Sequence, residues 1–545
     1  MNHPNSTNSS RLENLEAAPA VQHSGLQAYA LPVVLIVFVA ILACLRASTV
    51  LMWYDEMATY EPARLAAGAD TLHFYETGLD TPSPTGALVL HYWMAIAGDN
   101  DVTNRIPFIF FYLVMCWFIY AFVARRYPKG YAATAVLFLA ASGAFQYSTE
   151  MRTYSLILCC MSIAMWSWQS LEEKRSQIPF LCAMWAALAG AMLGHVFGVF
   201  LVVPFAVAEL YRWRSSGVLR KSVWAVIFTA PLSLVLLLPG IVAANHTYGK
   251  LFWSKPNIAN LLDSYVLSVR KPGLAAIAVT LLAVYLFTKF RNPQAKEPVA
   301  ANASKGFTGP EWALILTLCV LPLYAFVCSF AIGVFVPRYV LSVILGVALA
   351  LAGIAGKLLR SNSRAGLAIA AVFTLLAIGA QYKVFSHFAK GEFGARLVAR
   401  VQHQPWELAA CEADLPVLAS NVHDFFEYQH YAPPCLRDKL YYGEDLQKAA
   451  LSPRAVGDED NMILFPKLIP LHVVPFDRFV SEHPEFLVFD TTLNGESKPQ
   501  WFLTFLNTGQ KEIQVVSKVA YPRSYYAPTD LTTGTVTLYR MKSLR

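Results

Sequence analysis

The stretch ALPVVLIVFVAILACLRASTVLMWYDEMATYEPAR, residues 30–64, decides how this chain is read. Residues 30–51 form an apolar run long enough to cross a bilayer, which takes about 20 residues. Two adjacent carboxylates, Asp55 and Glu56, follow just past its end. A helix C-terminus favours cations, so its electrostatics do not explain a carboxylate pair there. Charges at membrane depth or at its lip are costly, and each is a functional candidate by default.

Working outward, further apolar runs fall at 106–123, 131–145, 154–168, 178–193, 196–210, 223–243, 274–287, 312–332, 339–359 and 367–385. With the first run they predict about eleven transmembrane helices. The run at 88–97 is too short to cross and reads as a helix lying at the interface. Composition agrees: 56% of the 545 residues are hydrophobic and 14% charged, against about a quarter charged in soluble domains. Residues 1–27 are polar and rich in Asn and Ser. They lack the basic start of a secretory signal and read as a disordered cytoplasmic tail before a retained first span.

Lys and Arg accumulate in cytoplasmic loops. With the N-terminus inside, Arg125, Arg126, Lys129, Arg212, Arg214, Arg220, Lys221, Arg360 and Arg364 all fall inside. The net charge of +7 is then mostly an orientation signal, and no nucleic-acid partner is implied. Residues 28–388 form the transmembrane module, with a long outer loop at 54–105. An odd span count places 389–545 outside the membrane. There LPVLASN, EFLVFDTT, KEIQVVSKVAY and GTVTLYRMK read as strands, and HDFFEYQHYA, FDRFVSEHP and WFLTFLNTG as helices or turns, so a small α/β domain is expected. It carries no phosphate-binding glycine motif. No CxxC occurs. Cys411 and Cys435 either pair in an extracytoplasmic domain or stay as two thiols.

On this topology the membrane-depth charges gather at one face. Arg46 lies near the outer end of the first span, and Asp55 and Glu56 follow it. Arg105 opens the second span. Glu150, Arg152 and Tyr154 sit in the turn TEMRTYSL. His195 lies in another outer turn, and Arg338 opens the tenth span. An arginine fork suits phosphate, and a nearby carboxylate can take a proton from an attacking hydroxyl. No nucleotide pool exists outside the membrane, so a phosphate donor there arrives on a lipid. These parts fit transfer of a sugar from a polyprenyl phosphate to an acceptor hydroxyl, with Asp55 as base and Glu56 as its orienting partner. The competing reading is a transporter or flippase of lipid-linked sugars. It would be marked by two related halves and broken midplane helices, which the sequence does not display.

The same residues resemble the GT-C superfamily of membrane glycosyltransferases. The likeness is to the branch with dolichyl-phosphate-mannose protein mannosyltransferases, the bacterial aminoarabinose transferase to lipid A and the rhizobial galacturonosyltransferases. WYDE (53–56), LVLHYWMAIAG (88–98), NRIPF (104–108), STEMRTYSL (148–156), LGHVFGVF (193–200) and PRYVL (337–341) carry it, over about residues 30–360. The resemblance implies an inverting transferase with the first acid of the pair as catalytic base, and Arg105 and Arg152 arranging the loop and the donor phosphate. It implies glycolipid, polysaccharide or protein acceptors at a plasma membrane. Some relatives carry a divalent cation near the acidic loop and others none, so no metal ligand is assigned. GLDTPSPTGAL (78–88) departs from the pattern by lacking the basic residue that many relatives place before two prolines. Arg46, His91 or Lys255 would have to stand in for it. Asp99-Asn100-Asp101 looks like the metal-binding triplet of nucleotide-sugar transferases but reads better as a polar turn.

Overall fold

The computed structural model describes residues 25–79, 83–172, 177–248, 254–290, 306–449, 462–463, 465–493, 496–497, 501–502, 505, 513–523 and 534–544. The N-terminal tail and most of WFLTFLNTG lie outside the described residues. A first helix α1 (Gly25–Thr49) leads into three loop helices, α2 (Tyr54–Ala63), α3 (Gly68–Glu76) and α4 (Thr85–Ala97). The bundle continues through α5 (Ile106–Ala124), α6 (Lys129–Ala141), α7 (Ala144–Tyr147), α8 (Tyr154–Ser170), α9 (Ile178–Gly194), α10 (Val202–Ser216), α11 (Lys221–Thr229) and α12 (Leu238–Tyr248). It closes with α13 (Ile258–Phe290), α14 (Gly309–Cys319), α15 (Leu321–Ile332), α16 (Val343–Leu358) and α17 (Ser363–Ala380).

The chain is a polytopic helical membrane protein. Among the described residues six helices are long and apolar enough to cross a membrane, or seven if α14 and α15, bent by 52°, make one span. Of the other segments read as spans, α6 has 13 residues, α8 and α9 have 17 each and α16 has 16. The reason is visible at α6, where every residue from Gly130 to Ala141 is buried. A helix surrounded by protein need not match the bilayer thickness, although its hydropathy looks the same. Small residues permit this burial. A Cβ on Gly130 would lie 2.6 Å from the backbone carbon of Gly366, so α6 and α17 meet backbone to backbone.

At the bundle end away from α2, buried charges lock four helices together. Glu311 accepts from Arg126 Nε at 2.9 Å, Gln169 Nε2 at 2.6 Å and the Thr308 amide at 2.7 Å. Arg126 also pairs with Glu172, and Glu172 with Arg212. Removing one member of a buried pair strands the other charge, at about 3–5 kcal/mol. Glu311→Ala is therefore expected to lower stability by that amount, read as a large drop in thermal midpoint in detergent.

After α17 the chain forms α18 (Tyr382–Ala389), α19 (Ala395–Val401) and α20 (Pro405–Glu412), then the α/β domain. Its strands are β1 (Val417–Ala419), β2 (Leu440–Glu444), β3 (Val473–Pro475), β4 (Glu485–Leu493), β5 (Glu496–Ser497), β6 (Ile513–Arg523) and β7 (Gly534–Ser543). The sheet order is β3-β2-β1-β4-β7-β6, with β5 beside β4. The β1, β2, β3 and β4 ladders are parallel, and β7 adds to β4 antiparallel. Helix α21 (Val422–Tyr431) follows β1, and α22 (Pro434–Arg437) follows it. Cys411 and Cys435 form a disulfide across α20 and α22. The sequence reading omits β2, β3 and β5, which are short and show no alternation long enough to recognise.

Candidate active site

The chain turns at Trp53, whose backbone is extended, and begins a new helix at Tyr54. Asp55 and Glu56 therefore occupy the first turn of α2, where the helix dipole favours anions. They do not sit at the end of α1, and the electrostatic puzzle of the opening stretch disappears. Adjacent helical residues point about 100° apart, and the two acids have separate surroundings.

Glu56 is buried in a clamp. Its Oε1 accepts from Arg105 Nε at 3.1 Å and from the Met151 amide at 3.2 Å. Its Oε2 accepts from Arg105 Nη2 at 3.2 Å and from the Trp53 amide at 3.4 Å. Arg105 Nη1 donates to the carbonyls of Ala47 and Val50, at 2.9 and 2.7 Å. Both side chains are 1% exposed. One guanidinium thus joins the end of α1, the start of α2 and the start of α5. All three side-chain nitrogens of Arg105 are engaged inside the protein.

Asp55 faces a different set. Arg338 Nη2 lies 2.7 Å from its Oδ2, and Arg338 Nε donates to the Tyr154 hydroxyl at 3.0 Å. The same guanidinium lies 5.8 Å over the Trp53 ring. Arg152 donates to the Asp55 carbonyl and to Thr59 Oγ1, both at 3.1 Å, and so grips the first turn of α2. His195 Nδ1 accepts from the Phe197 amide at 3.1 Å, which leaves the proton on Nε2. Nε2 itself is buried without a partner, as are Glu150 Oε2 and Arg46 Nε. Burial, then the charges of Arg152 and Arg338, push His195 down to about 3, so the ring is neutral.

The structure adds Arg270, which sequence reasoning passes over. The backbone of α13 breaks there, with φ 57° and ψ 173°. That region is nearly confined to glycine and costs on the order of 1–3 kcal/mol. The Gly143 amide holds the broken turn by donating to the Ser268 carbonyl at 2.8 Å. The Arg270 side chain donates to Gln146 Oε1, and Gln146 Nε2 donates to Glu150 at 3.2 Å. The signal available in sequence was the pair Arg270-Lys271 directly ahead of Pro272 and Gly273, at the edge of an apolar run. Of the suggested stand-ins, His91 Nδ1 meets the Ala63 carbonyl at 2.9 Å, and Lys255 is exposed.

Glu150 has an unusual proton affinity. Burial, then the negative charges of Glu56 and Asp55, push its carboxyl from 4.5 up to about 8, against the pull of Arg46 and the Gln146 hydrogen bond. Between those values the folded protein holds a proton that the unfolded chain releases. Stability therefore falls as pH rises from about 4.5 to about 8, because the native state binds more protons. Thermal midpoints measured across that window are expected to decline less steeply in Glu150→Gln, which stays neutral throughout.

The α/β domain ties directly onto this loop. The Met52 amide donates to the Tyr431 hydroxyl at 2.8 Å, and that hydroxyl donates to Asp101 at 2.5 Å. His430 Nε2 lies 3.4 Å from the other Asp101 oxygen. The His423 ring stacks on Tyr54 with centroids 4.2 Å apart. Asp99 instead accepts from Tyr60 at 2.9 Å and from Asn104 at 2.8 Å. Asp99 and Asp101 are held by different donors, and Asp55 by Arg338. Among the described residues no three acidic, His or Cys side chains converge on one point. Tyr431→Phe keeps the ring but strands a buried amide and a carboxylate. It is expected to cost about 1–3 kcal/mol, measured as a lowered thermal midpoint with the disulfide intact.

Comparison with known proteins places this arrangement. The family model for dolichyl-phosphate-mannose-protein mannosyltransferase matches residues 80–242, from the middle of the outer loop into α12. The apo structure of ArnT from Cupriavidus metallidurans superposes with a TM-score of 0.53 at 14% identity, over 94% of this chain and 98% of that one. The chain has the GT-C fold. ArnT bound to undecaprenyl phosphate gives a TM-score of 0.49 at 13% identity, over 93% of this chain and 97% of that one. The Archaeoglobus fulgidus oligosaccharyltransferase complex with zinc and sulfate gives 0.39 at 14% identity, over 84% and 68%. No curated protein matches the sequence. Within the GT-C fold the acidic pair opens the first loop after α1, and the α/β domain covers that loop.

Proposed function

We propose that this chain is an inverting glycosyltransferase that moves a sugar from a polyprenyl-phosphate donor to an acceptor hydroxyl. The observation that carries the reading is the Asp55–Arg338 pair at 2.7 Å, in a setting that also holds Arg46, Arg152, Arg270 and neutral His195. The mannosyltransferase family match over 80–242 and the GT-C fold support it. Asp55 takes the proton from the acceptor hydroxyl as that oxygen bonds to the anomeric carbon. The bond from that carbon to the phosphate oxygen breaks, and lipid phosphate leaves. Arg338, between Asp55 and Tyr154, is placed to move onto the developing phosphate charge. Direct displacement inverts the anomeric centre.

The acceptor is a glycolipid, polysaccharide or protein hydroxyl on the outer face of a plasma membrane. Two observations support that side. Lys and Arg cluster at the bundle end away from Asp55, and a disulfide suits an oxidising compartment. Glu56 and Arg105 set the position of Asp55, while Arg152 fixes the helical turn that carries it. Asp55→Asn removes the base without changing side-chain size. Turnover of polyprenyl-phosphate sugars is expected to fall about 10²–10⁴-fold, with lipid binding retained. Turnover equal to wild type would take Asp55 out of the chemistry.

A further inference from the structure

Three carboxyl groups share the setting around Asp55, and two of them are ion-paired. Glu56 is clamped by Arg105, and Asp55 lies against Arg338. The third, Glu150, is 2% exposed. Its one hydrogen bond among the described residues comes from a neutral amide, Gln146 Nε2 at 3.2 Å. Its Oε2 is buried with no partner. A cation is near at hand, because Arg270 donates to Gln146 Oε1. Arginine has donors only, so it fixes the amide oxygen toward itself and turns the amide N–H onto Glu150 Oε1. Gln146 therefore stands between the cation and the acid. It passes on a hydrogen bond and no charge.

A carboxylate buried without a paired cation is costly, and such a group neutralises instead. With Oε1 accepting from Gln146, the proton belongs on Oε2. The charged neighbours decide the same way. Burial, then Glu56 and Asp55 from α2, favour the neutral form, and Arg46 from α1 opposes it without prevailing. Tyr147 of α7, kept uncharged by burial, adds no charge of its own beside Arg270 and Arg338. The arrangement is kept at a backbone cost, since Arg270 occupies the broken turn of α13 at φ 57°. Glycine would sit there without strain but would carry no guanidinium. A neutral Glu150 leaves Arg46 and Arg270 unpaired with any carboxylate among the described residues. An ionised Glu150 would claim that positive charge for the protein.

We propose that Glu150 serves the donor site as a neutral acid, held one amide away from Arg270, so that the cations beside it stay available to the lipid phosphate. This rests on the reading of a polyprenyl-phosphate donor. Phosphate binding is then linked to one proton. As pH rises through about 8, Glu150 ionises, and the site gains a negative charge beside an anion. The phosphate has its own second ionisation near about 6, below that window. The affinity of the full-length protein in detergent for polyprenyl phosphate tests this, measured from neutral to alkaline pH. Wild type is expected to lose up to about tenfold per pH unit once Glu150 has ionised. Glu150→Gln, neutral throughout, is expected to lose that slope, with its thermal midpoint at neutral pH showing that it is folded. A wild-type affinity independent of pH, or an equal fall in Glu150→Gln, would overturn the proposal alone. Folded wild type that binds no polyprenyl phosphate at any pH would overturn the donor reading and the proposal with it.

Discussion

The Glu56–Arg105 pair is the constraint on which the rest of this structure depends. It lies where three chain segments must meet: the end of α1, the start of α2 and the start of α5. A helix end leaves carbonyls without partners, and Arg105 takes those of Ala47 and Val50 while binding Glu56 with its other nitrogens. Two backbone amides complete the carboxylate. Such a pair is weak as a source of net stability, because both charges lose their water. Its effect is geometric. With Glu56 held, the residue before it in the first turn of α2 points to a different side, where Asp55 meets Arg338.

The neighbouring elements reinforce that geometry from two sides. Arg152 grips the Asp55 carbonyl from the α7–α8 turn, and Tyr431 reaches across from the α/β domain to the Met52 amide. The domain thus acts on the first loop through a few long-range contacts, with the disulfide bracketing the helix that makes them. Among the buried polar atoms without a hydrogen-bond partner are three on the Asp55 side, His195 Nε2, Glu150 Oε2 and Arg46 Nε.

Much of this was legible in the sequence, for physical reasons that also explain the failures. The apolar run before MWYDEMATYEPAR and the order of WYDE, TEMRTYSL, LGHVF and PRYVL brought Asp55, Glu150, Arg152, Tyr154, His195 and Arg338 to one face. That inference needs only span order and topology. Which acid binds which arginine was not legible, since Arg105 and Arg338 look alike as basic residues opening a span. Arg270 was hidden because a backbone break inside an apolar helix has no hydropathy signature. Hydropathy likewise does not separate a lipid-facing helix from one buried among its neighbours, so α6 and α16 read as longer than they are. In the α/β domain, β4, β6 and β7 were legible as long strands and the short β1 as part of the apolar run LPVLASN, while β2 and β3 were missed. The contact of Tyr431 with Met52 joins residues far apart in the chain and leaves no local trace.

The central claim is that the cations around Asp55 serve a lipid-linked phosphate. A structure of the protein determined with polyprenyl phosphate bound tests it most directly. The account predicts phosphate density within hydrogen-bonding distance of Arg338, on the Asp55 side of the Glu56–Arg105 clamp, with the clamp unchanged. Phosphate density at the opposite end of the bundle, near Arg126 and Arg212, or a clamp opened so that Arg105 binds the phosphate, would contradict it.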